Sequence, residues 1–126
     1  MKLRIKGSTL RLRLTQREIQ SIAAGVPVEE KVPFAADSAL LYRLRRDAEV
    51  SDITASYSNN LIEIRVPDAV ALQWCESELV GLERTQPIPG GPLRITLEKD
   101  YACLAPRADE DESDNFPHPQ TGSVKC

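Results

Sequence analysis

One order of strands and helix occurs twice in this chain. Leu10–Leu14 alternates leucine with arginine and runs into a helix-start signal, and Ile62–Val66 alternates in the same way and runs into a second one. Downstream of each helix, and at the same spacing to within one residue, Leu40, Tyr42, Leu44 and Asp47 align with Leu93, Ile95, Leu97 and Asp100. A fixed period usually marks stacked or pseudo-symmetric units. We therefore expect an α+β fold of two pseudo-repeated ββαββ units, about residues 1–47 and 51–100, forming a curved or barrel-like, mostly antiparallel sheet.

The individual elements follow from local patterns. Alternation of apolar and polar residues is typical of half-buried strands. Thr15 and Glu18 make the capping-box pattern of a helix start, and Gly25 supplies a left-handed stop near Ala24. Pro67 suits the first turn of a second helix that ends near Glu76. The predicted strands are Lys2–Lys6, Leu10–Leu14, Val26–Phe34, Leu40–Arg46, Ile53–Tyr57, Leu61–Val66, Val80–Arg84 and Leu93–Leu97.

Length and charge divide the chain into a body and a tail. The 126 residues, 41% of them apolar, suit one domain, which we place at residues 1–104. Residues 1–100 carry 14 basic and 14 acidic side chains, whereas residues 101–126 carry 2 and 5. Residues 105–126 are therefore predicted to be an acidic, proline-containing, flexible tail that cannot bury enough apolar surface to offset the entropy of ordering.

The sequence also bears on location. The first residues alternate charged with apolar side chains and so lack the unbroken apolar stretch of a secretory signal. Apolar runs such as residues 69–72 are far shorter than the roughly 18 residues of a membrane span. Three cysteines cannot all pair within one chain, which favours reduced thiols. We expect a cytoplasmic protein with no membrane contact.

Two stretches carry a resemblance to a known family. They are Lys2–Glu18, which reads KLRIKG and then LRLRLTQ, and Leu97–Pro119, which reads LEKDYACL and later ESDNFPHP. In these stretches the chain resembles a family of small bacterial proteins that carry a domain of unknown function. The resemblance implies a bacterial source and one domain, and it implies no activity.

The first candidate site is a charged sheet face that would bind an anion. Clustered guanidinium groups hold phosphate or carboxylate groups bidentately. The alternative is a solvated outer face that keeps the sheet soluble and discourages edge pairing. Neutrality of the body and 5% aromatic content argue against nucleic acid as the ligand. The candidate residues are Lys2, Arg4, Arg11, Arg13, Arg43, Arg65 and Arg94.

The second candidate site is a divalent-metal site in the tail. Thiolate and imidazole groups prefer softer metals and carboxylates prefer harder ones, but the spacing of these residues matches no established site. The candidate ligands are Cys103, Asp111, Asp114 and His118.

The sequence gives less support to a catalytic function. A phosphohydrolase tunnel needs carboxylates to hold a metal against the phosphates, and the first strand offers only lysine and arginine where such enzymes carry a glutamate pair. Cys75 is expected to be a small buried thiol. A catalytic pair of Cys75 or Cys103 with His118 would rest on a residue of the tail. We assign no catalytic residue.

The function that the sequence favours is a binding or interaction module. Its basic sheet face would bind an anionic small molecule or a protein partner, with the acidic tail as a lid or second contact. The alternatives are a small phosphohydrolase-like enzyme acting on anionic molecules, and metal binding through the tail. No cofactor is implied, and exposed edge strands leave room for a homodimer.

Overall fold

The computed structural model describes residues 1–101, which form eight strands and two helices. The strands are β1 (Lys2–Lys6), β2 (Thr9–Leu14), β3 (Val28–Ala35), β4 (Ser38–Arg46), β5 (Thr54–Ser58), β6 (Leu61–Val66), β7 (Gly81–Ile88) and β8 (Gly91–Lys99). The helices are α1 (Gln16–Ala23), between β2 and β3, and α2 (Asp68–Cys75), between β6 and β7.

The strands form two separate four-stranded sheets. Sheet A has the order β1-β2-β8-β7, and sheet B has the order β3-β4-β6-β5. Every consecutive hairpin is antiparallel, but the two central pairs, β2 with β8 and β4 with β6, are parallel. Each sheet therefore joins a hairpin from the first part of the chain to one from the second.

The expectation of an α+β fold with two short helices is confirmed, but the expectation of one curved or closed sheet is wrong. Alternation shows which face of a strand is apolar and carries no information on which strand lies beside it. Each helix carries the chain out of one sheet and into the other, so both sheets are mixed, and within residues 1–101 no pairing between strands joins one sheet to the other.

The hairpin turns and the helices lie at opposite ends of the strands. The four hairpins turn at residues 7–8, 36–37, 59–60 and 89–90, whereas α1 and α2 follow the far ends of β2 and β6. Asn59 and Asn60 have φ angles of 50° and 62°, as the two central residues of a type I′ hairpin require. We call these ends the turn end and the helix end.

Both helices close the helix end. Thr15 and Glu18 form the complete capping box that the sequence predicts, because the Thr15 hydroxyl accepts from the Glu18 N–H and the Glu18 carboxylate accepts from the Thr15 N–H. Helices α1 and α2 pack on each other. In the part of the chain described, neither helix is long and apolar enough to cross a membrane.

The core lies between the inner faces of the sheets and beneath the helices. It contains one cluster of buried apolar side chains drawn from both sheets and both helices. Trp74 of α2 is completely buried, and its indole N–H donates to the carbonyl of Val80. The other members are Leu12, Leu14, Ile19, Ile22, Val28, Leu44, Ile53, Ala55, Ile64, Val66, Ala71, Ile95 and Leu97.

Candidate functional site

Four cations lie together on the outer face of sheet A. In the β1–β2 register Lys2 faces Arg13, and Arg4 faces Arg11. These side chains alternate with inward-facing leucines, so they all project to the same side. We call this set, Lys2, Arg4, Arg11 and Arg13, the basic face. A small cavity of about 180 Å³ is lined by these four residues and Leu3.

Glu98 of β8 is the carboxylate that flanks the basic face on the β2 side. The parallel pairing of β2 with β8 places it beside Arg13. One oxygen, Oε1, lies 3.1 Å from Nε of Arg11 and 3.5 Å from Nε of Arg13. All three side chains are less than 20% exposed, so they are partly shielded from solvent. At the end of the strand, Nζ of Lys2 lies 3.3 Å from Oδ2 of Asp100.

Partial burial makes Arg11, Arg13 and Glu98 electrostatically different from a scatter of surface charges, whereas Lys2 and Arg4 are exposed. Charge interactions strengthen as the surroundings become less polar than water. Guanidinium groups also present fixed arrays of N–H donors that match carboxylate and phosphate oxygens. The basic face therefore has the donor chemistry to recognise an anionic group, in a recess a few atoms across.

Sheet B carries a similar arginine arrangement with more carboxylates. Oε2 of Glu63 lies 3.0 Å from Nη1 of Arg43 and 3.1 Å from Nε of Arg45. Arg43 also contacts Glu29 at 2.7 Å, and Asp47 contacts both Arg45 and Arg65. Among the described residues this network sets three arginines against three carboxylates. Within residues 1–101, the carboxylates that contact the basic face are Glu98, beside Arg11 and Arg13, and Asp100, beside Lys2.

The pKa of Glu63 is lowered in this network. Burial of the side chain alone would raise it, but hydrogen bonds and charge attraction from Arg45 and Arg43 outweigh that effect. The Glu63 carboxylate is therefore held ionised, and the pKa of Arg43 is raised in turn by its hydrogen bonds to Glu29 and Glu63. We read the sheet B cluster as a structural ion-pair network.

The structure brings together only part of the predicted anion site. Lys2, Arg4, Arg11 and Arg13 form the basic face, whereas Arg43 and Arg65 lie on the other sheet. Arg94 shares the outer face of sheet A, but it is 62% exposed and pairs with Glu83 at 3.5 Å. Glu98 was not among the predicted site residues, because its position beside Arg13 depends on the parallel β2–β8 pairing.

The predicted metal ligands Cys103, Asp111, Asp114 and His118 lie outside the described residues. Within residues 1–101, no group of three or more histidine, cysteine or acidic side chains is arranged to hold a metal ion. Cys75 is half-buried in α2, and burial raises the pKa of its thiol despite the nearby Lys99 and Arg46. The raised pKa favours the thiol over the nucleophilic thiolate.

Fold and surface together define an α+β protein of two mixed sheets with a basic recess on the outer face of one of them. The chain belongs to a family of unknown function, DUF7009, whose model matches residues 1–120. No curated protein and no solved structure matches the chain. The family assignment confirms the expectation of a domain of unknown function, and it assigns no activity.

Proposed function

We propose that this protein is a binding module whose basic face binds a single anionic group, such as a phosphate or carboxylate, on a small molecule or a protein partner. The observation that carries the proposal is the convergence of Arg11 and Arg13 on one oxygen of Glu98, with Lys2 and Arg4 directly opposite them. An anion that enters the recess meets donors from two adjacent strands, which fix their positions.

The size of the recess limits the ligand. Pockets that enclose whole drug-sized ligands span roughly 300–1,000 Å³, and the recess on the basic face has about 180 Å³. It therefore suits one phosphate- or carboxylate-sized group whose remainder stays outside. A complete nucleotide would extend well beyond it.

The acidic tail is the natural competitor for this recess. Asp100 at the end of the described body already contacts Lys2, so the chain leaves sheet A beside the basic face. The acidic run begins nine residues later, at Asp109. Nine extended residues reach up to about 30 Å, several times the spacing between strands. The run Asp109–Asp114 can therefore cover the basic face.

In this proposal the tail is a lid that an anionic partner displaces. Individual exposed ion pairs contribute little, so the five carboxylates act together. Phe116, flanked by Pro117 and followed by Pro119, supplies an apolar anchor that the charges lack. The lid lowers the apparent affinity for an anionic ligand, because only the fraction of the protein with an open lid can bind it.

The organisation of the body belongs to the same proposal. We treat residues 1–104 as one domain made of two related ββαββ halves, residues 1–47 and 51–100. The support is that β2 pairs with β8 as β6 pairs with β4, and that Leu10 lies opposite Ile95 in sheet A as Ile62 lies opposite Tyr42 in sheet B. Each half would then contribute one hairpin to each sheet.

The test is a thermal-shift and calorimetric titration of the full chain with pyrophosphate at about 0.15 M ionic strength, where long-range charge effects are screened. A ligand of the native state raises the melting temperature by mass action. A second variant replaces all five tail acids, Asp109, Glu110, Asp111, Glu112 and Asp114, by their amides.

The proposal predicts that neutralising the tail tightens pyrophosphate binding by about ten-fold. The matched control neutralises five exposed acids elsewhere on the body, none of which lines the recess: Asp37, Glu49, Asp52, Glu76 and Glu78. Its affinity is expected to stay near that of the wild type. Equal gains in pyrophosphate affinity in both variants would show that the effect comes from net charge alone. The absence of any pyrophosphate binding would contradict the proposed site.

A further inference from the structure

Burial of the inward-facing side chains falls steadily from the helix end to the turn end. In β2, Leu14 and Leu12 are at most 2% exposed, but Leu10 is only half-buried. The same decline occurs in β6, where Val66 and Ile64 are buried and Ile62 is not. The helices fill the space between the sheets at one end, and nothing among the described residues does so at the other.

The result is an apolar cleft of about 510 Å³ between the sheets at the turn end. Its floor contains the inward-facing apolar side chain nearest the hairpin turn on each of the four central strands, and its rim contains two exposed side chains from β5 and β7. The floor residues are Leu10, Leu40, Ile62 and Leu93, and the rim residues are Tyr57 and Ile88.

One wall of the cleft is fixed by a hydrogen-bonded bridge between the sheets. The carboxamide of Gln86 in β7 accepts from the backbone N–H of Ala55 in β5 at 2.7 Å and donates to its carbonyl at 3.0 Å. The two sheet edges are thus tied together beside the cleft. A recess with a fixed wall and strand-borne lining is preorganised for a ligand.

The geometry points to this apolar cleft as a binding site for an uncharged small molecule with an alkyl or aromatic body. The volume lies within the range of ligand pockets, roughly 300–1,000 Å³. Among the residues that the structure describes, the lining contains no carboxylate, ammonium or guanidinium group, so a charged ligand atom inside would lose its hydration without gaining a partner from them. The site is independent of the basic face, which lies on the opposite side of sheet A.

A small molecule suits the cleft better than a second copy of the chain. The floor lies in a recess between two sheets, and a flat protein surface leaves such a recess empty. The gain for a ligand comes from covering the floor leucines and Ile62, since apolar surface removed from water contributes about 25 cal/mol per Å².

The first experiment uses N-phenyl-1-naphthylamine, an uncharged probe that fluoresces in apolar surroundings, titrated into the full-length protein. Ile62→Trp and Leu40→Trp each fill the cleft with an indole ring. Both variants are expected to weaken probe binding by about ten-fold or more. Ile5→Trp is the control, because Ile5 also faces inward near the turn end, is 56% exposed and does not line the cleft.

The second experiment does not depend on a folded variant. Wild-type protein with labelled methyl groups is titrated with 1-decanol, and the methyl signals of Leu10, Leu40, Ile62 and Leu93 are expected to shift while those of Ile22 and Val66 at the helix end stay in place. Unchanged probe affinity in both folded cleft variants would overturn the inference, as would decanol shifts confined to other residues. Concentration-dependent shifts of the floor methyls without decanol would assign the cleft to self-association instead.

Discussion

The side chain of Gln86 hydrogen-bonds to both the backbone N–H and the backbone carbonyl of Ala55. It makes the two hydrogen bonds that a neighbouring strand would make, and so it links two separate sheets. Oε1 of Gln86 lies 2.7 Å from the Ala55 nitrogen, and Nε2 lies 3.0 Å from the Ala55 oxygen. Ala55 is 8% exposed, so its N–H and carbonyl have little access to water. The bridge joins strands that are otherwise sheet edges.

Gln86→Leu is therefore expected to destabilise the protein by more than an ordinary surface substitution does. It leaves a buried donor and a buried acceptor without their partner, which costs on the order of 2 kcal/mol. Urea denaturation measures the change in the free energy of unfolding. The control is Gln73→Leu, the same substitution at an exposed position of α2. Equal small effects at both positions would show that the bridge does not stabilise the fold.

Trp74 provides a test of the core beneath the helices. Its ring is fully buried, and its indole N–H donates to the Val80 carbonyl at 3.2 Å. Trp74→Ala should cost about 3–5 kcal/mol, since large-to-small core changes lose transfer free energy and leave a cavity. Trp74→Phe retains a ring and should cost less. Far-ultraviolet circular dichroism is the suitable readout, because the chain contains one tryptophan. A loss below about 1 kcal/mol for the alanine variant would contradict the packing described.

Glu63 gives the protein a stability that depends on pH. Burial raises the pKa of its carboxyl, but Arg45 and Arg43 lower it by more, so the folded-state pKa lies below the ordinary value. Because the folded-state pKa is lowered, the stability that Glu63 contributes is complete above the unfolded-state pKa of about 4.3. This stability is lost as the pH falls through the folded-state pKa.

The corresponding measurement compares the wild type with Glu63→Gln from neutral to acidic pH. The wild type should be the more stable protein at pH 7. The difference in the free energy of unfolding should shrink once the pH falls below the ordinary glutamate pKa. A difference that stays constant down to acid denaturation would mean that the ion pairs with Arg43 and Arg45 do not set the pKa.

Local patterns in the sequence predict the elements well. The strand Leu61–Val66 has the bounds that alternation predicts, and the helix expected from Pro67 to Glu76 spans Asp68–Cys75. The Thr15 capping box forms as expected. These features depend on neighbours in the chain, whose hydrogen bonding and apolar period are readable locally.

Pairing between distant strands is the part that local patterns do not predict. Alternation predicts that Arg11 and Arg43 both face outward, but it does not show that β2 lies beside β8 in one sheet while β4 lies beside β6 in the other. The position of Glu98 between Arg11 and Arg13 follows from that pairing. The apolar cleft was missed for a related reason, since Tyr57 continues the apolar alternation of Ile53 and Ala55 like a core residue and only the placement of the helices leaves it exposed.

We propose that the basic face binds an anion and that the arginine network of sheet B does not. Two single substitutions test it, because each removes one of two arginines that share a glutamate oxygen. Arg11→Gln leaves Arg13 with Glu98, and Arg43→Gln leaves Arg45 with Glu63. The two variants therefore match in the change of net charge, and each breaks the same kind of arginine–glutamate ion pair.

The decisive measurement is isothermal titration calorimetry of pyrophosphate into the wild type and these two variants at equal ionic strength. Arg11→Gln is expected to weaken pyrophosphate binding by about ten-fold, because hydrogen bonds to charged groups contribute about 1.5–3 kcal/mol. Arg43→Gln is expected to leave the affinity near the wild-type value. Equal losses in the two variants, or no loss in Arg11→Gln, would contradict the proposal.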